Sequence, residues 1–157
     1  MGNLVTETPH SEMNAAIEVL DRYGVSREDL AFLRTYPDTA QKVCEYLKSR
    51  RALFLQAIHG SLQESMEAVR EIRDEELLCK ICLCESVFEE VQVNAAEKIR
   101  DNIKLFNIVV THPCERVQGV ALSHLSHEYL PVLRKYVDVG LSNGRNIPNA
   151  RALGLLK

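Results

Sequence analysis

Apolar residues recur along almost the whole chain at three- and four-residue spacing, the period of an α-helix with one buried face. Met13, Ala16, Ile17 and Leu20 lie on such a face and predict a first helix over about 11–23, with Gly24 as its C-terminal stop. Ser26-Arg27-Glu28-Asp29 has the form of a capping box with Asp29 in the acidic position. It precedes a second helix carrying Leu30, Phe32 and Leu33. That helix ends near Tyr36-Pro37, because the residue before a proline avoids the helical region. Asp38 or Thr39 caps a third helix with Ala40, Val43, Cys44 and Leu47, which either breaks near Ser49 or continues into "RALFLQAIH". Beyond Gly60, the residues Leu62, Met66, Val69 and Ile72 set out a fourth. No stretch joins β-branched alternation to a hairpin turn, and Asn143-Gly144 has no alternating strands beside it. The pattern is all-α.

From residue 77 the pattern repeats. "LLCKICLCESVFEEVQVNAAEKI" (77–99) set above "IKLFNIVVTHPCERVQGVALSHL" (103–125) aligns without gaps at an offset of 26. Cys79 then meets Leu105, Cys82 meets Ile108, Cys84 meets Val110, and Val91-Gln92 meets Val117-Gln118. A weaker unit precedes, "ALFLQAIHGSLQESMEAVREI", and another follows over 129–157, where "NARALGLL" echoes "QGVALSHL" as a second helix. Each unit reads as a helix, a turn and a second helix. Units of this length bury their apolar faces against neighbours and form stacks.

"HPCERVQGVALSHL" (112–125) resembles the second helix of a HEAT-like, armadillo-type repeat. Pro113 stands in the first turn, and Val117, Ala121 and Leu125 follow along one stripe. His112 stands where that family has Asp, and Gln118 where it has Arg. The resemblance implies a short superhelical array over 51–157, capped by helices over 11–50, with residues 1–10 as a tail. It also implies that the second helices line a concave surface. The outward pairs there are Gln92 with Gln118 and Lys98 with His124, which are the expected partner contacts.

Composition narrows function more than it narrows fold. The 157 residues are 46% hydrophobic and 26% charged, with a net charge of −3, the profile of an ordinary globular domain. The charge disfavours a dedicated nucleic-acid binder. No apolar run is long enough to span a membrane, and with no basic stretch followed by an apolar one at its start, no secretory signal is expected. Five cysteines, an odd and clustered set, read as reduced thiols in the cytoplasm rather than a disulfide framework. Met1-Gly2-Asn3-Leu4-Val5-Thr6 fits the short myristoylation pattern, against which stands a plain polar tail.

Candidate chemistry is sparse. Cys79, Cys82 and Cys84 have a suggestive spacing, and Cys114 or His112 supplies a fourth ligand for zinc or an iron–sulfur cluster. Against this, the three sit in a predicted helix among Leu77, Leu78, Ile81 and Leu83, opposite apolar residues of the sister unit. Free cysteine packs as a small hydrophobe. Ser123-His124-Leu125-Ser126-His127 carries no nucleophile elbow. Lys48, Arg50 and Arg51 form the densest basic run and the only candidate for phosphate contact. No phosphate loop, paired-carboxylate signature or His-Glu-x-x-His is present. The expectation is a non-enzymatic protein-binding scaffold with no cofactor. The alternatives are a metal-binding or redox-sensing helical protein using Cys79, Cys82, Cys84 and Cys114, and a nucleic-acid binder using Lys48, Arg50 and Arg51.

Overall fold

In the computed structural model, residues 9–144 and 147–155 are described, with side chains from Ser11 onward. Gly2 and nearly all of the expected tail lie outside them. The described residues form helices joined by short turns, with no strand among them. Two compact units divide the chain, Met1–Ala52 and Leu53–Lys157.

The first unit holds α1 (Pro9–Arg22), α2 (Arg27–Arg34) and most of α3 (Pro37–His59). Gly24 at φ 79 ends α1 in the left-handed region, which costs a glycine little, and lets the Val25 N–H donate to the carbonyl of Leu20. Ser26 caps α2, its hydroxyl accepting from the Asp29 backbone N–H. Ile17, Leu20, Leu30, Leu33, Ala40 and Cys44 form the core. Pro37 occupies the first helical position of α3, where its missing N–H would be unpaired in any case. The helix then runs unbroken past Ser49 for 23 residues.

The second unit begins with the end of α3 and continues through α4 (Leu62–Glu71), α5 (Glu75–Cys82), α6 (Glu89–Lys98), α7 (Asn102–Thr111), α8 (Glu115–His124), a short 3-10 turn (His127–Tyr129) and α9 (Leu130–Ser142). At Gly60 a Cβ would meet the Gln56 carbonyl at 2.5 Å, so only glycine admits the tight α3–α4 turn. Ser61 and Glu64 then form a reciprocal capping box on α4. Helix α5 packs on α6 and α7 on α8, while the second helices lie side by side, α4 against α6 and α6 against α8. One continuous core joins them, with Leu78, Ile81, Val91, Ile99, Leu105, Ile108, Val117 and Leu133 nearly inaccessible.

The helix pairs α5–α6 and α7–α8 do not correspond at one gapless offset. Second helices are 26 apart, Glu89–Lys98 against Glu115–His124. First helices are 27 apart: the N-caps are Asp74 and Asp101, each accepting from two backbone N–H groups. At 27, Leu78 meets Leu105, Ile81 meets Ile108 and Cys82 meets Val109, all buried. At 26, buried Leu77 would meet Ile103, which is 73% exposed. Helix and turn lengths together make the difference: α5 has 8 residues and a turn over 83–88, α7 has 10 and a turn over 112–114.

Two further expectations are corrected. Cys84 lies in the turn after α5, not in the helix. "NARALGLL" is not a second helix: residues 148–154 form turns, closed by Gly154 at φ 69 and by a bond from the Leu155 N–H to the Ala150 carbonyl. Ile147, Ala150 and Leu155 of this segment are still buried in the shared core.

Candidate interaction surface

The four expected partner contacts are placed differently from the expectation. Gln92 and Gln118 do not face outward: they are 7% and 0% exposed. Each reaches back from a second helix, Gln92 to the turn after α5 and Gln118 to the last turn of α7. Gln92 Nε2 donates to the carbonyl of Cys84 at 2.8 Å, and Gln118 Nε2 to that of Val109 at 2.8 Å. A buried amide is tolerated only where its polar atoms are paired. Gln118 meets this fully, donating also to the Pro148 carbonyl and accepting from Asn149 Nδ2. Asn149, at φ 57, donates in addition to the Pro113 carbonyl.

Lys98 is half-buried, and its Nζ donates to the carbonyls of Val69, Arg70 and Ile72 at 2.6–2.7 Å. These groups close the C-terminus of α4, where a cation is favoured. Desolvation by burial draws its pKa below the usual lysine value, and nearby Arg73 adds to this. Replacing Lys98 by methionine leaves those carbonyls without a donor, with an expected loss of about 2 kcal/mol. Urea unfolding of Lys98→Met and Lys98→Arg tests it: an unchanged midpoint for methionine contradicts the assignment. His124 is partly exposed, and its Nδ1 accepts from the Arg100 guanidinium at 2.9 Å.

The hairpins are also tied to one another. Glu75 Oε2 accepts from the backbone N–H groups of Arg100 and Asp101, at 3.1 and 2.8 Å. Asn102 Oδ1 accepts from the Ser126 N–H at 2.8 Å. Both residues open a first helix, and both hold the start of the next unit. Glu64 and Asp101, each a helix-start carboxylate, are held below their ordinary values of 4.5 and 3.8, Glu64 by hydrogen bonds from Ser61 and Asp101 by hydrogen bonds from Lys104. A depressed carboxylate contributes stability above its unfolded pKa and loses it as pH falls through the folded value. The thermal midpoint is therefore expected to drop between about pH 5 and pH 2, and to drop less in Glu64→Gln Asp101→Asn. Equal acid sensitivity in the double variant contradicts this origin.

The cysteines are dispersed in role. Cys79 and Cys82 are buried on α5. Burial pushes the Cys82 thiol up to about 12, with smaller contributions from Cys79 and Cys114, and raises that of Cys79 in the same sense. A buried thiol of this kind is a poor nucleophile. Cys84 is half-buried against the core, its Sγ 3.2 Å from Ser86 Oγ. Among the described residues no group of three or more His, Cys, Asp or Glu is placed to hold a metal ion. His112 has a structural position: the Cys114 N–H donates to its Nδ1 at 3.0 Å, so Nε2 carries the proton and donates to the Cys82 carbonyl at 2.9 Å. Sequence reasoning noted His112 as a departure from the repeat pattern and as a candidate fourth metal ligand, and did not foresee this structural position. In the basic run, Lys48 is exposed, Arg50 half-buried, and Arg51 lies 5.6 Å over the Tyr23 ring.

Two surface features were not anticipated. Val132, Tyr136 and Val139 form an exposed row along α9, and the Tyr136 ring meets Phe106 of α7 edge-on at 5.6 Å. Between the α5–α6 and α7–α8 turns lies a cleft of about 560 Å³, lined by Leu83, Glu85, Gln92, His112 and Pro113 among others. No family model, curated protein or solved structure matches the chain. The resemblance to HEAT-like repeats thus rests on the quoted residues.

Proposed function

We propose that the chain is a non-enzymatic protein-binding scaffold, a short HEAT-like array whose partner is another protein. The observation that carries this reading is the recurrent tie between hairpins. Glu75 and Asn102, at the starts of the first helices α5 and α7, do the same work one unit apart, beside second helices that lie side by side. Stacks of this kind gain extended surface with each added unit, and the surface is what they offer. The fates of Gln92, Gln118 and Lys98 support it from the other side, since all three tie helices to their neighbours.

The test is chemical cross-linking of the tagged chain in its native cells, followed by quantitative mass spectrometry. A protein enriched over a control helical protein of similar charge, and competed away by untagged chain, is the expected result. Enrichment of nothing above that control overturns the reading.

A further inference from the structure

The geometry points to the cleft between the α5–α6 and α7–α8 turns as a binding site for an arginine side chain on a partner polypeptide. The inference rests on the scaffold reading and names the chemistry of its partner. Gln92 is 7% exposed, and its Nε2 is fixed as the donor by the Cys84 carbonyl. Its Oε1 accepts no hydrogen bond among the described residues. That oxygen is not among the sealed, unpartnered atoms, and the residue lines the cleft. An acceptor so deeply set and left open calls for a donor from outside.

The sister unit shows what kind of group fills such a place. Gln118, the counterpart of Gln92, accepts from Asn149 Nδ2 at 2.7 Å and donates to the Pro148 carbonyl at 2.9 Å. There the chain's own C-terminal segment supplies a side-chain donor on a stretch of polypeptide. At Gln92 the next turn leaves an open cleft instead.

Charge selects the donor. Glu85 lines the cleft and is exposed, and Glu89, Glu90 and Glu115 stand on the first turns of α6 and α8. Arg116, on the first turn of α8, is already bound to Glu89 at 3.4 Å. A neutral amide would pair with Gln92 and leave Glu85 unpaired. A guanidinium has planar donors enough for both, and its alkyl stem suits Leu83 and Pro113.

The probe is Nα-acetyl-arginine methylamide, titrated into the ¹⁵N-labelled full chain and followed by NMR, with the norleucine analogue as control. Saturable shifts confined to 83–92 and 111–114, absent with norleucine, are expected. Glu85→Gln should weaken the arginine affinity about tenfold, the loss of one charge-assisted bond. Gln92→Leu should abolish it while the dispersion of core amides is retained. No saturable shift, equal shifts with norleucine, or an affinity unchanged in Glu85→Gln overturns the site. Saturable arginine binding with no cross-linked partner upholds the cleft and sinks the scaffold reading. A cross-linked partner without arginine binding does the reverse.

Discussion

Replacing Gln118 by leucine is expected to destabilise the second unit by about 3 kcal/mol, the penalty of leaving several buried polar groups unpaired. The side chain is wholly inaccessible and engages three partners: the carbonyls of Val109 and Pro148, and the amide of Asn149. Leucine matches its bulk and would add apolar contact, a gain that partly offsets the loss. The net remains unfavourable, because the carbonyls and Asn149 stay where the backbone puts them. The effect has a direction in space as well. Residues 147–155 are held to the α7–α8 hairpin by this network and by Ile147, Ala150 and Leu155. Hydrogen exchange should therefore rise first at Leu153 and Leu155, whose N–H groups bond within the segment, and limited proteolysis should find it. Gln118→Glu gives a second reading, since it keeps the shape but loses the Nε2 donor. Wild-type protection at those amides in both variants would refute the clamp.

Replacing His112 by phenylalanine is expected to cost about 2–3 kcal/mol, from one buried and one part-buried hydrogen bond broken at once. The imidazole is 3% exposed and joins the Cys82 carbonyl, at the end of α5, to the Cys114 N–H, at the start of α8. Phenylalanine fills most of the space and serves neither group. Because the ring links two hairpins, the loss should fall on their mutual packing more than on either helix. Accelerated exchange at the Leu83 and Gln118 N–H groups, which close the two helix ends, would show it. Asparagine, with one donor and one acceptor but less reach, should recover only part. An unfolding midpoint in His112→Phe equal to wild type would refute the role.

Both residues show how far the sequence reading went. His112 and Gln118 stood out in the one-dimensional pattern because they depart from the HEAT-like pattern the segment resembles, which has Asp and Arg there. Their partners could not be seen, since Cys82, Asn149 and Pro148 are about thirty positions away and the pairing depends on how hairpins stack. Distance explains Lys98 in the same way, while Gln92 bonds only eight positions back, to the turn of its own hairpin. A polar residue on a helix reads as outward unless a buried acceptor waits for it, and the acceptors for Gln92 and Lys98 are carbonyls, which every residue has and no sequence marks. The offset of 26 was legible in the second helices because their apolar stripe is regular. It failed in the first helices because helix and turn lengths together can take up one residue without changing composition.

The sequence alone determined that the chain is helical, roughly where α1 and α2 begin and end, and which stripes are apolar. These follow from periodicity and from capping groups that act within a few residues. It also gave sound grounds to set "LLCKICLCE" among core segments, since two of its three cysteines are buried on α5. Only the tertiary structure decided which polar residues are structural, where Cys84 falls, and that an open acceptor sits in a cleft beside Glu85. Those outcomes depend on which carbonyls and amides the packing of distant segments leaves paired or bare, and short-range pattern carries no record of that.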